Sequence, residues 1–281
     1  MRSAWLFAPA NAERKAYGAL ASDADVVVLD LEDAVPETEK PTARSALAAL
    51  GTLPRRGTLM VRVNATGSPH CLRDIEAAVA ARADGIMLPK TETMEDLGSV
   101  CWALSQFEAA LDCMGRTELV PLVETARGVS NLSHIRCGDR VRQAVFGSVD
   151  YALDLGLTGH SGQDAVTHAQ FAMVLGSRRA GLLPPIDGVT LGARDAAATA
   201  RDATRARDLG FGGKIAIHPA QILPIQQSFR PTHDEVTWAR EVVEAFEAAP
   251  SRASGALLVR DKLVDLPVFL QAQRVLGRMG A

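Results

Sequence analysis

Glu124 and Asp150 are the two acids whose neighbours best fit them for chemistry. Each follows a short apolar run, Pro121-Leu122-Val123 before the first and Val145-Phe146-Gly147-Ser148-Val149 before the second. The runs are consecutive in the chain, so the carboxylates can approach one another. Two hard oxygen donors with no cysteine or histidine nearby suit Mg2+, with water and substrate filling its other positions. Capping of the following helices is the other use for such acids. Glu32 and Asp33 follow the run Val26–Leu31, and with Asp30 they put three acids within four residues. They can exchange protons or hold the waters of a bound cation. They can equally cap a helix and pair with Lys40 or Arg44. Arg62 sits between Val61 and Val63, where a guanidinium is costly to bury unless it meets an anion. Its fork matches a substrate carboxylate or a forming enolate oxygen, or an ion pair with one of those acids.

Weaker signals surround these. Arg14 and Lys15 open a helical stretch after the first run and either meet a phosphate of a long substrate or remain solvated. His218, in Ile217-His218-Pro219, is either a hydrogen-bonded structural residue or a substrate contact. Lys90 could form a Schiff base, but it is expected to serve as a charged neighbour to Glu92. Gly210-Phe211-Gly212-Gly213-Lys214 lacks the Lys-Ser/Thr ending of a phosphate loop and precedes a strand, so it is set aside.

The elements that position these residues follow from periodicity. Apolar runs at Ala4–Ala8, Val26–Leu31, Thr58–Val63, Gly85–Leu88, Leu119–Val123, Gln143–Phe146, Ile186–Val189 and Lys214–Ile217 alternate with longer Ala/Leu helical patterns. Continuous apolar strands between helices mean a parallel sheet covered on both faces. Eight such units favour an α/β fold of the TIM (β/α)8 barrel type, and 281 residues is close to the roughly 250 typical of one. Most runs end in polar residues, among them Asp30, Arg62, Lys90, Glu124, Asp150, Asp187 and His218. A barrel gathers its strand ends on one face, so these should converge. The barrel is expected over residues 1–230. A short C-terminal helical extension is expected over 231–281, with a helix from about Thr232 to Ala248, a loop with Pro250, Ser251, Ser254 and Gly255, and a last helix after Leu263-Val264-Asp265-Leu266-Pro267.

Composition narrows the class. The net charge of -3 is spread without blocks, which points away from nucleic acid and membrane surfaces as partners. Cys71, Cys101, Cys113 and Cys137 form no CxxC pair and are expected as reduced thiols in a cytoplasmic enzyme. Ala10-Asn11-Ala12 superficially resembles a signal-peptidase site. The preceding apolar run is short and broken by Pro9, so a first strand is expected there instead of an export signal.

Taken in order, several motifs make the chain resemble the citrate lyase beta-subunit-like family, which includes malyl-CoA and citramalyl-CoA lyases. They are Arg2-Ser3 with Phe7-Ala8-Pro9, Leu29-Asp30-Leu31-Glu32-Asp33-Ala34-Val35, Val61-Arg62-Val63-Asn64, Leu88-Pro89-Lys90, Leu122-Val123-Glu124-Thr125, Phe146-Gly147-Ser148-Val149-Asp150-Tyr151 and Ile217-His218-Pro219-Ala220-Gln221. The resemblance implies a TIM barrel that holds Mg2+ through Glu124 and Asp150. It implies that Arg62 binds the 2-oxo-acid half of the substrate, and that Phe7, Arg14, Ile217 and His218 contact the acyl-thioester half. It also implies that Asp265 acts as acid/base from a neighbouring subunit, in a homotrimer or homohexamer. Two places depart from the family pattern: Pro9-Ala10 stands where Pro-Gly is usual, and Arg260-Asp261-Lys262 where Asp-Gly-Lys is common.

The expected reaction is Mg2+-dependent cleavage of a citryl-, malyl- or citramalyl-type 3-hydroxyacyl thioester to a 2-oxo acid and acetyl-CoA or a related thioester. Glu32 and Asp33 would tune the site by holding metal-bound waters. The alternatives are thioester hydrolysis of the same substrates, a pyruvate-type class II aldolase, and an acyl-thioester-binding subunit working with an acyl-carrier partner.

Overall fold

A computed structural model of the chain describes residues 2–135, 138–158, 162–248 and 256–278. In chain order these form β1 (Ala4–Pro9), α1 (Glu13–Leu20), β2 (Val26–Asp30), α2 (Lys40–Leu50), β3 (Thr58–Arg62), α3 (Cys71–Ala80), β4 (Gly85–Leu88), α4 (Met94–Ala110), β5 (Glu118–Val123), α5 (Ala126–Asn131), β6 (Val145–Phe146), α6 (Ser148–Asp154), α7 (Gly162–Arg179), β7 (Ile186–Asp187), α8 (Ala196–Leu209), β8 (Gly213–Ala216), α9 (Ile222–Phe229), α10 (His233–Ala248), β9 (Ala256–Val259), β10 (Lys262–Asp265) and α11 (Leu266–Gly277). The chain divides into two compact units, Arg2–Gln226 and Gln227–Ala281, with the break inside α9.

In the first unit β1 to β8 run parallel in sequence order and close on themselves, β8 pairing with β1. This is the TIM-type barrel expected from the eight apolar runs. Its strands are buried on both faces, as continuous runs such as Val26-Val27-Val28-Leu29 require. Alternation sorts the two faces. Trp5, Val26, Val28, Met60, Met87, Val120, Leu122, Val145, Ile186 and Ile215 fill the barrel interior. Their neighbours in sequence face the helices. Local signals set where helices begin and end. Thr93 and Asp96 cap each other's backbone at the start of α4, and Gly210, at φ +104°, ends α8 in the left-handed conformation.

The strand ends do not all meet. Ile186 points into the barrel, so Asp187 points outward, against the expected convergence. It is buried between Gln170 of α7, which donates to Oδ1 at 2.8 Å, and Lys214, whose Nζ donates to Oδ2 at 2.7 Å.

The second unit is not purely helical. β9 and β10 form an antiparallel hairpin that packs with α10 and α11 around Val242, Val264 and Ala272. Its two-residue turn, Arg260-Asp261, holds both residues at positive φ, +47° and +60°. Such turns favour glycine second, and here Asp261 fills that place. The expected loop at Pro250, Ser251, Ser254 and Gly255 lies outside the described residues, as does Cys137. Among the described residues, Cys71, Cys101 and Cys113 form no disulfide. Among the described residues no helix is long and apolar enough to cross a membrane.

Candidate active site

Side-chain alternation carries the interior upward to the C-terminal strand ends. Two residues beyond Trp5 stands Phe7, beyond Val28 Asp30, beyond Met60 Arg62, beyond Leu122 Glu124 and beyond Ile215 Ile217. The top layer of the barrel therefore sets the charged Asp30, Arg62 and Glu124 between the apolar Phe7 and Ile217, where the layer beneath is wholly apolar. Arg62 is its centre. Nε and Nη2 donate to the two carboxylate oxygens of Asp30 at 2.7 and 2.6 Å, a bidentate pair between neighbours in register on β2 and β3. Nη1 lies 2.8 Å from Glu32 Oε2 and 3.7 Å from Asp33 Oδ2. The guanidinium also lies over the Phe7 ring, 5.3 Å from its centre. Burial works against the charge of Arg62, but Asp30, Glu32 and Asp33 outweigh it and hold the group well above its ordinary pKa.

Lys90 closes the network from β4. Its Nζ donates to Glu32 Oε1 at 2.6 Å, so Glu32 is shared between two cations. Burial pushes the Glu32 carboxyl upward against the pull of Arg62 and Lys90. The loop carrying Glu32 is pinned from below. Lys40 Nζ donates to the Leu31 and Glu32 carbonyls, at 3.0 Å each, and to Asn64 Oδ1 at 2.8 Å. Arg44 pairs with Asp74, whose other oxygen takes the Asn64 side-chain amide. Lys40 and Arg44 are thus committed to the scaffold and do not pair with the Glu32 or Asp33 carboxylates.

Glu124 is 1% exposed. Oε1 accepts from the Lys90 backbone amide at 2.9 Å, while Oε2 is buried without a hydrogen-bond partner. Burial, followed by the charges of Asp150 and Glu32, raises its pKa to about 8. A carboxylate held this way is short of positive charge. Asp150, in the first turn of α6, lines the same cavity. Among the described residues no group of three or more His, Cys, Asp and Glu side chains is placed to hold a metal. Two carboxylates, with water and substrate completing the sphere, fit Mg2+, which is held by one or two carboxylates in many sites. The backbone leaves room for this donor. A Cβ on Gly147 would lie 2.5 Å from both Cβ and Oε2 of Glu124. Gly147→Ala is therefore expected to displace the carboxylate and cut turnover about 100-fold, the scale of an ångström-sized misplacement. Parallel Mg2+ titration should show weaker binding, and wild-type kinetics in this variant would remove the argument.

These residues surround a cavity of about 150 Å³. Arg62, Glu124 and Asp150 line one side. Phe7, Leu122, Phe146, Val149, Val189 and Ile215 make the rest apolar. A wider groove of about 790 Å³, lined by α3 and α4 residues such as Leu72 and Trp102, has no charged lining and offers no comparable chemistry.

Several expectations change at this point. The Nε/Nη2 edge of Arg62 already faces Asp30, so only the far end of the guanidinium remains for a substrate oxygen. Lys90 pairs with Glu32, not Glu92; Glu92 instead accepts from Thr125 and lies near Arg127. Glu124 does not cap a helix, because Thr125 does that for α5. Arg14 is exposed on α1. His218 is half-buried and accepts from the Ala220 amide, the structural alternative, while Ile217 lines the cavity. Asp33 is half exposed beside Arg62. Asp265, in the second unit, accepts from the Val268 amide and caps α11. Asp30 and Gly147 went unassigned in the sequence. Alternation levels Asp30 with Arg62, and that signal was open to use.

An eight-stranded parallel barrel with acids and one arginine gathered at its C-terminal strand ends is the frame of a barrel enzyme. The family model described as HpcH/HpaI aldolase/citrate lyase matches residues 3–219. The beta subunit of citrate lyase from Escherichia coli K12 is 32% identical, over 99% of this chain and 93% of its own. Mitochondrial citramalyl-CoA lyase of Mus musculus is 31% identical, over 98% of this chain and 85% of its own. Among solved structures, the CitE protein of Mycobacterium tuberculosis in complex with magnesium, acetoacetate and coenzyme A superposes with a TM-score of 0.81 at 33% identity, covering 99% of this chain and 98% of that one. The chain belongs to the HpcH/HpaI aldolase/citrate lyase family.

Proposed function

We propose that this protein is a Mg2+-dependent carbon–carbon lyase acting on a 3-hydroxyacyl thioester that carries a carboxylate beside its hydroxyl. The products are a 2-oxo acid and a shorter acyl thioester. The observation that carries the proposal is the buried, half-satisfied carboxylate of Glu124 lining one small cavity with the Arg62 guanidinium. The magnesium, acetoacetate and coenzyme A of the similar CitE structure support it.

Glu124 and Asp150 would hold Mg2+, which supplies Lewis acidity toward substrate oxygens. The Nη1 end of Arg62, which it shares with Glu32, receives the substrate carboxylate or the developing oxyanion. Asp30 and Glu32 keep the guanidinium in place, and Asp33, more exposed, holds water at the rim. The hydroxyl passes its proton to the Asp33 carboxylate through the water held there, the carbon–carbon bond breaks, and its electron pair passes to the thioester half as an enolate. Asp265 from a neighbouring copy of the chain, in a homotrimer or homohexamer, returns a proton to that carbon. Phe7 and Ile217 face the acyl half across the cavity. Arg14, exposed, and His218, half-buried, lie at positions suited to the distant parts of coenzyme A or of an acyl-carrier thioester.

A coupled assay on the protein alone tests this. Malyl-, citramalyl- and citryl-CoA are supplied with Mg2+, and 2-oxo acid and free thiol are followed separately. Oxo acid without thiol is the expected result. Thiol without oxo acid would make the protein a thioesterase, and silence over the panel would shift the reading to a complex-dependent subunit.

Asp265→Asn separates two roles. Asparagine caps a helix nearly as well as aspartate, so melting should hardly move. A lost general acid lowers turnover by about 100- to 10,000-fold. An active Asp265→Asn enzyme would end the acid/base assignment.

A further inference from the structure

We propose that Lys90 is a positioning residue of this site: its backbone amide fixes Glu124 while its ammonium takes the second oxygen of Glu32, which Arg62 also holds, so that the guanidinium is less fully neutralised and keeps charge for the substrate's carboxylate. The inference rests on the lyase reading above.

Backbone geometry is the first observation. Lys90 has φ +52°, a left-handed conformation that side chains other than glycine, asparagine and aspartate seldom adopt. The other described non-glycine residues at positive φ have ordinary reasons for it. Arg82 and Asp112 follow the ends of α3 and α4, and Arg260 and Asp261 form the hairpin turn. Lys90 alone stands at the C-terminal end of a barrel strand. Met87 faces the interior, so strict alternation would send residue 90 to the helix side. The left-handed turn breaks that alternation and delivers both functional groups of Lys90 to the mouth. Strain kept at a functional strand end is a mark of use.

Connectivity is the second. The amide donates to Glu124 Oε1 at 2.9 Å, leaving Oε2 free. The ammonium takes Glu32 Oε1 at 2.6 Å, opposite the oxygen that Arg62 approaches. One residue thus joins an acid on β5 to the acid after β2, across the arginine on β3. Without the ammonium, Glu32 has only Arg62 to neutralise it, and the guanidinium is drawn into its own acids. Glycine would remove the strain and keep the amide, but it has no charge to offer.

The test uses full-length Lys90→Met, Lys90→Gly and Lys90→Arg proteins. Calorimetric titration with Mg2+ is followed by titration with pyruvate and with oxaloacetate in saturating Mg2+. Both neutral variants keep the amide, so Mg2+ affinity should stay within about threefold of wild type, while oxo-acid affinity falls about tenfold or more, the scale of a lost charge-assisted contact. Lys90→Arg should recover most of it. Oxo-acid affinity within about twofold of wild type in Lys90→Met would overturn the proposal. So would recovery in Lys90→Gly, which would blame strain alone, and so would loss of Mg2+ binding together with a lowered melting point, which would mark a structural role. Wild-type protein that binds neither oxo acid with Mg2+ would sink the lyase reading, and the role of Lys90 with it.

Discussion

Replacing Arg62 with methionine should both abolish turnover and destabilise the barrel, and the second effect identifies the first as more than a lost contact. Asp30 is 1% exposed and Glu32 5%. Methionine fills much of the stem's volume but leaves the two carboxylates buried around an empty charge. Breaking a buried ion pair from one side costs about 3–5 kcal/mol, a large share of a domain's usual margin of about 5–15 kcal/mol. Denaturant melting should show a lowered midpoint with little change in slope. The loss should ease at acid pH, where the stranded carboxyls protonate. Arg62→Lys is not a mild change here, because an ammonium cannot span both oxygens of Asp30 and still reach Glu32. Turnover within about tenfold of wild type in Arg62→Met would remove Arg62 from the chemistry, since a transition-state contact to charge is worth more than that.

Glu124→Gln should do the opposite to stability while also ending catalysis. The Glu124 pKa is raised, from an ordinary 4.5 to about 8. For a carboxyl raised on folding, the stabilising contribution is present below the unfolded value and is lost as pH rises through the folded one. Metal-free wild type should therefore lose stability between about pH 4.5 and 8, as the buried group is forced to ionise. Glutamine never ionises, so the metal-free variant should melt higher than wild type at pH 8.5. Cation binding requires the ionised carboxylate and releases its proton. Wild-type Mg2+ affinity should thus climb about tenfold per pH unit from 6 toward 8 and then level off. The variant should bind weakly at every pH. A wild-type affinity that is flat across this range would contradict the burial argument for Glu124.

Much of this was legible in the chain. The eight apolar runs pointed to a parallel sheet covered on both faces, and eight βα units favoured its closure into a barrel. Arg62, Glu124, Asp150 and Glu32 stood out because charge directly after an apolar strand is costly unless used. What stayed hidden depended on conformation and not on composition. Nothing in Leu88-Pro89-Lys90 announces a left-handed lysine, so Glu92, its neighbour in sequence, looked like its partner. Asp187 follows a strand as Glu124 does, but alternation turns it toward α7 and Lys214. The C-terminal hairpin went unread because Arg-Asp is a poor turn signal where Asn-Gly would have been a strong one. Asp265 is a cap in its own unit, and its proposed role in a neighbouring copy's site is what the Asp265→Asn variant tests.

The cavity wall carries its charge at Arg62, Glu124 and Asp150 and is otherwise largely apolar, which has a consequence for altering what the protein accepts. Asp30, Glu32, Arg62, Lys90 and Glu124 are bound to one another, and a change at any of them disturbs the rest. Val149 and Val189 line the cavity outside that network and are not among the fully buried residues of the barrel interior. A library confined to these two positions explores new acyl or oxo-acid side groups while the ionic frame stays as it is.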